Sequence, residues 1–434
     1  MLKSLTLTNV GPAEGNQAIP FAPRLNLITG DNGLGKSFLL DIAWWALTRK
    51  WPQEVNHNLT SGYMARPVNP EKPASIGFES KGKSRLVEVK VPFRRAEQQW
   101  VFPRSKPALA GLVLYALPNG GFAVWDPARN YSDAKTGATH ERRAAYVFTP
   151  ENVWDGLGGE DGKPLCNGLI QDWAGWQKEK GETFALLQKV LSALSPSPEE
   201  PIEAGQLARI SLNDSRDIPT LKMPYGQEVP VIHASSGMKR IIALAYLLVW
   251  AWREHVAACK LLGQTPTQQI IFLIDEIEAH LHPKWQRSII VSLLEVVKLL
   301  VAKHTNVQLI TATHSPLVMA SVEPFFDAKK DGWLDLDFEI DKKGRGCAVI
   351  SERHFVRQGN ANNWLSSEAF DLKSSYSLEA EIIMEEASKV LSSDSVTLLQ
   401  VRNIDKKLRT VLSDTDPFWM RWRSFAEKKG WLSD

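Results

Sequence analysis

The chain has 434 residues, 44% of them hydrophobic, with 51 Lys and Arg against 49 Asp and Glu. That length and apolar content suit a large folded core, and a net charge of +2 neither demands nucleic acid nor excludes a local basic face. Cys166, Cys259 and Cys347 are scattered, form no C-x-x-C pair and exclude a disulfide framework.

In chain order, residues 2–12 open as a strand, with no signal-peptide pattern, so a cytoplasmic protein is expected. Residues 25–29 predict a second strand, and 38–47 a helix. Between them lies Gly30-Asp-Asn32-Gly33-Leu-Gly35-Lys36-Ser37, which fits G-x-x-x-x-G-K-[ST]. Glycines let such a loop curl its backbone N–H groups round a phosphate at a helix N-terminus. Gly30, Asn32, Gly33, Gly35, Lys36 and Ser37 are therefore nucleotide-binding candidates. Lys36 would bridge the β- and γ-phosphates, and the Ser37 hydroxyl would ligate Mg2+.

Residues 52–229 carry Pro and Gly throughout, β-like runs at 86–91 and 111–116, and no sustained heptads. A β-lobe plus a compact helical insert is expected there, without a long coiled coil. Residues 170–194 are the best helical candidate, stopped by Ser195-Pro-Ser-Pro198. Arg85, Lys90, Arg94, Arg95, Arg104 and Lys106 gather near Trp100 and Phe102. A solvated β-meander and a nucleic-acid contact are both open readings of that cluster.

Ser235-Ser236-Gly237 precedes an apolar run at 241–252, which is too short to cross a bilayer and suits a buried core helix, so no membrane contact is expected. The apolar run 269–274 ends in Asp275-Glu276, the Walker B pattern, in which a buried parallel strand delivers two carboxylates to its C-terminal edge. Asp275 would orient Mg2+, and Glu276 would polarise the attacking water. A further strand, 307–311, runs into Thr313-His314-Ser315.

In this order and spacing the motifs resemble a RecF-like or SMC-like ABC-type ATPase. The branch is the one shared with overcoming-lysogenization-defect proteins and with stand-alone Septu-type defence ATPases. Residues 2–12 are similar to that branch's first strand, and Asp275-Glu-Ile-Glu-Ala-His280-Leu-His282-Pro283 through Gln286 to its extended Walker B and D-loop. The resemblance implies an α/β fold: an ABC-type P-loop ATPase head with a mixed sheet and β-lobe, a compact α/β insert and a helical C-terminal region. Its core would comprise 1–51 and 230–330, with 331–434 mostly helical and available to a partner. It implies Glu276 and a switch histidine, His314, as catalytic residues. Ser235, Ser236 and Gly237 would be signature residues acting on the nucleotide of a second copy. For the family's Q-loop, Asn152 is the nearest candidate.

The resemblance further implies ATP and Mg2+ as cofactors and a head-to-head homodimer, with higher assembly also open. Beyond 324, Asp335-Leu-Asp337 lacks the upstream glutamate of a Toprim nuclease, and no second activity is expected. Residues 378–391 and 394–412 predict helices. The aromatic end, with Phe418, Trp419, Arg421 and Trp422, suits either a partner anchor or a packed helical cap. Two functional classes follow. One is an ATPase subunit controlling a separate nuclease, of HNH type in related systems, in antiviral defence. The other is a repair ATPase that clamps DNA, with nucleic acid as the partner.

Overall fold

The computed structural model describes residues 1–12, 18–81, 86–102, 111–129, 145–159, 162–301, 305–340, 344, 346–393 and 396–428. They form two compact units, Met1–Trp364 and Leu365–Asp434.

The first unit is built on an eight-stranded mixed sheet. Across it run Gly346–Glu352, Asp331–Ile340, Leu25–Gly30, Asn306–Ala312, Gln269–Ile274, Leu112–Ala116, Phe122–Trp125 and Tyr146–Phe148. The five strands from Asp331–Ile340 to Leu112–Ala116 are mutually parallel, and the flanking ones are antiparallel. The Walker B strand Gln269–Ile274 is buried along its whole length, which explains its unbroken apolar sequence. A five-stranded antiparallel sheet forms the β-lobe: Leu2–Thr8, Ala18–Pro20, Ser75–Lys81, Leu86–Arg94 and Gln99–Trp100.

The P-loop helix Lys36–Thr48 lies in the core that joins the two sheets. Trp44 and Trp45 share one cluster with Leu5 and Val91 of the lobe and Val113, Ile271 and Ile310 of the large sheet. Trp45 stacks on Trp51 at 5.2 Å and meets Phe102 at 4.8 Å.

The expected domain division needs correction. Residues 112–148 supply three strands of the large sheet rather than part of the insert, and Leu112–Ala116 lies beside the Walker B strand. Asp331–Ile340 and Gly346–Glu352 are strands, the first pairing with the P-loop strand and the second with the first, so the sheet continues past the expected boundary. Conversely, Leu2–Thr8 belongs to the lobe. Local apolar runs identify strands but carry no information on which strand becomes the neighbour.

The expected helix at 170–194 is two, Leu169–Glu179 and Glu182–Ala193, broken where Lys180 takes φ 52° before Gly181. The helix expected at 241–252 extends over Ser236–Leu261, 26 residues. By length and composition alone it could cross a membrane, yet 61% of its apolar window is buried inside the fold. Trp250 meets Tyr146 and Phe148 edge-on at 5.4 and 5.3 Å, and Tyr246 donates to Asp172 of the insert at 2.8 Å.

The second unit holds three helices, Leu378–Leu391, Leu398–Val411 and Phe418–Lys428. Ser377 and Thr397 cap the first two. Residue 394 lies outside the described residues. Phe418, Trp419 and Trp422 are buried against Ile383, Ile404 and Leu408, so these aromatics pack a helical cap rather than standing free as anchors.

Candidate active site

The parallel strands converge at their C-terminal edge, where the motifs of residues 30–37, 275–278 and 313–315 meet. Leu25–Gly30 ends in the loop, and Gly35 caps the following helix with φ 100°, a left-handed conformation that a side chain would strain. Asp31, Asn32, Gly33 and Ser37 are exposed, whereas Lys36 is 6% exposed. The Lys36 ammonium donates to the carbonyls of Gly30 at 2.7 Å and Asp31 at 2.8 Å. Burial lowers its pKa, against the fields of Asp275, Asp31 and Glu276.

Asp275 is 1% exposed, and both its carboxylate oxygens lack a hydrogen-bond donor. Burial raises its pKa to about 6, with the neighbouring Ser37 hydroxyl, and more weakly Lys36, favouring the charged form. A buried carboxylate with two free oxygens beside a serine hydroxyl fits the oxygen-donor set that Mg2+ takes. Glu276 adopts φ 47° and His280 φ 64°. A non-glycine residue held in that region costs about 1–3 kcal/mol and persists only where its surroundings over-determine it.

His314 follows the strand Asn306–Ala312 and is half-buried. Burial and the Lys36 charge lower its pKa, while Glu276 and Asp31 oppose them. Its position is fixed by Glu278, whose carboxylate accepts the His314 backbone N–H and, at 2.7 Å, the Thr313 hydroxyl. Gln286 adds a second tie, accepting from the Ser315 hydroxyl at 2.7 Å.

The signature candidates lie at the start of the helix Ser236–Leu261. Ser235 is its N-cap, the hydroxyl accepting the Met238 N–H at 3.4 Å, and Ser236 is exposed. Gly237 is buried against the D-loop, where a Cβ would come 2.6 Å from the His280 carbonyl. His282 caps the short helix Pro283–Gln286, and no group of three or more His, Cys, Asp or Glu side chains placed to hold a metal occurs among the described residues.

Asn152, the Q-loop candidate, closes the capping box of Pro150–Asp155 and bonds to Asn56. The turn that borders the Walker B end is 117–121, after Leu112–Ala116, with Asp275 N–H donating to Ala116 at 3.0 Å. The aromatics of the basic cluster pack against the core, Trp100 buried and Phe102 partly so. Trp100 donates to Ala65 at 2.9 Å, and Phe102 lies under Arg49 and against Trp45. Arg94 pairs with Glu97, and Arg85, Arg104 and Lys106 lie outside the described residues.

Three polar residues of the site escaped sequence reasoning. Asp41, one helical turn after Ser37, accepts from the Tyr115 phenol at 2.9 Å. Its i+4 spacing from Ser37 was the available signal. For Glu278 the signal was the second carboxylate of Asp275-Glu-Ile-Glu278. No local pattern marks Tyr115, which reads as one residue of a buried strand.

Two family models match: "AAA domain" over residues 4–144, and "AAA domain, putative AbiEii toxin, Type IV TA system" over residues 114–320. Among curated proteins, the chain is similar to a "Retron Vc95 probable ATPase" of Vibrio cholerae serotype O1 biovar El Tor, 35% identical over 114 residues. That alignment covers 26% of this chain and 20% of the relative. It is also similar to a "Retron Ec83 probable ATPase" of Escherichia coli, 24% identical over 165 residues, 38% of this chain and 26% of the relative. The chain thus spans about a quarter or less of the length of these relatives. Among solved structures it is similar to the SMC head domain from Thermotoga maritima, with TM-score 0.38 and 15% identity, covering 81% of this chain and 99% of that one. A RecF structure gives TM-score 0.37 and 12% identity, covering 82% and 98%. The P-loop, the Walker B edge beside it and the two matched models agree: the chain is similar to AAA-type ATPase domains over residues 4–144 and 114–320, on an α/β fold with a helical C-terminal region.

Proposed function

We propose that this chain binds and hydrolyses ATP with Mg2+ in sites completed by a second copy, and that its nucleotide state controls a separate effector nuclease in prokaryotic antiviral defence. The observation that carries the hydrolytic part is the meeting of Lys36, Asp275, Glu276 and His314 at one sheet edge. The loop amides and the Lys36 ammonium, released from the Gly30 and Asp31 carbonyls, bind the phosphates. Asp275 and Ser37 would hold Mg2+, which would supply positive charge beside the phosphates. Glu276 orients the attacking water, and His314 contacts the γ-phosphate.

Ser235 and Ser236 are exposed at a helix N-terminus, a geometry suited to an anion presented by another chain. The names of two relatives contain "retron", which supports the defence reading; a Septu-like arrangement with an HNH-type nuclease rests on the sequence resemblance alone. For the DNA-clamp reading, Trp100 and Phe102 pack against Trp45 and are not free to stack on bases.

The test is a pulldown of the chain from its own locus with ATP present, comparing wild type with Glu276→Gln. The expected result is slow turnover, retained nucleotide and a stoichiometric nuclease in the variant. Normal hydrolysis by Glu276→Gln would refute the site assignment. Recovery of DNA without a protein partner would replace defence control with DNA clamping.

A further inference from the structure

The signature helix and the strand end that carries Asp275 and Glu276 meet at two points. Gly237 packs on the His280 carbonyl, the contact that its missing side chain permits. One turn later the Arg240 guanidinium reaches the same segment. Its Nη2 donates to the carbonyls of Asp275 and Glu276, each at 3.2 Å, and its Nη1 to the carbonyl of Pro118 at 3.0 Å. These bonds go to main-chain oxygens of two segments, the turn after Leu112–Ala116 and the Walker B end. A planar fork with fixed donor directions sets backbone shape in a way that a single ammonium does not. The backbone in question is unusual, since Glu276 holds φ 47° and its carbonyl also accepts the Ala279 N–H at 2.9 Å.

We propose that Arg240 is a positioning residue for hydrolysis: it holds Glu276 in its left-handed conformation and ties that conformation to the N-terminus of the chain's own signature helix. The proposal deepens the reading above and rests on it, because Ser235 and Ser236 there face the nucleotide of a second copy. The consequence is directional. Nucleotide in one chain's loop engages the other chain's signature helix, and Arg240 of that second chain passes the displacement to its own Glu276. The two sites then hydrolyse in a coupled way.

The test uses the full chain with Arg240→Met, which keeps the apolar stem, and Arg240→Lys, which keeps the charge but loses the fork. ATP turnover is measured against ATP and against chain concentration, together with affinity for a fluorescent ATP analogue and thermal melting. Expected for Arg240→Met is a kcat lower by about tenfold or more, with KM and analogue affinity within about threefold of wild type. Arg240→Lys should fall between the two. In wild type, turnover per chain should rise with chain concentration, and its dependence on ATP should be cooperative. Arg240→Met should lose the cooperativity. A folded Arg240→Met with wild-type kcat, or with KM raised and kcat intact, would overturn the proposal. If Arg240→Met does not fold, Arg240→Lys decides, and wild-type kcat there overturns it. Wild-type turnover per chain that is independent of chain concentration would instead remove the two-chain reading, and the coupling with it.

Discussion

The Tyr115 phenol donates a 2.9 Å hydrogen bond to Asp41, joining the strand beside Walker B to the P-loop helix one turn after Ser37. Burial raises the Asp41 pKa from 3.8 to about 7; the Tyr115 bond opposes that shift and the Asp275 charge adds to it. The folded state therefore holds this proton more tightly than the unfolded chain does. Its stabilising contribution is complete below the ordinary carboxylate value and is lost as pH rises through about 7. Asp41→Asn removes the titration. The melting temperature of wild type relative to Asp41→Asn should fall as pH rises from about 4 to about 7. A difference that stays flat over that range would mean that Asp41 is ionised throughout.

Glu278 is predicted to act through His314. Glu278→Gln keeps an acceptor for Thr313 but weakens the grip on the His314 N–H, and Glu278→Ala removes both bonds. Leaving buried donors unsatisfied costs about 1–3 kcal/mol. Steady-state kinetics should show kcat falling by about tenfold in Glu278→Ala with KM nearly unchanged, and a smaller fall in Glu278→Gln. Equal loss of nucleotide affinity and turnover would place Glu278 in binding instead.

The signature residues separate into two kinds. Gly237→Ala pushes a methyl toward the His280 carbonyl, so melting temperature and turnover should both drop. Ser236 is exposed, and Ser236→Ala should leave melting within about 0.5 kcal/mol of wild type. If Ser236 meets the nucleotide of a second copy, turnover still falls in that variant. Unchanged turnover in Ser236→Ala would argue against the composite site.

Chelation should discriminate the roles of Asp275 and Lys36. At about one hundred times its dissociation constant, bound nucleotide stabilises the fold by about 2.7 kcal/mol. Differential scanning calorimetry should show this shift with ATP and Mg2+, a smaller one after a chelator is added, and none in Lys36→Ala. Asp275→Asn should respond to ATP equally with and without Mg2+. A full Mg2+ increment in that variant would move the metal site away from Asp275.

The loop at 30–37, the carboxylates at 275 and 276 and the helix Leu378–Leu391 were legible from residues alone. Each depends on chemistry that neighbours in the chain supply: glycines where backbone must bend, a run of apolar residues for a buried strand, Ser377 for a helix start. Strand neighbours were not legible. Leu112–Ala116 and Asp331–Ile340 flank the ATPase core because sheet order brings them there across long stretches of chain. Aromatic burial was equally hidden, since Trp100 and Trp422 look alike in sequence to exposed anchors. The sequence by itself determined which backbone and side-chain groups could hold a phosphate and a cation. Only the tertiary structure decided that Arg240 grips the Glu276 carbonyl, that Glu278 grips His314 and that Tyr115 meets Asp41. The physical reason is that a turn or a cap is satisfied within a few residues, whereas a buried polar group takes whichever partner the packed strands bring beside it.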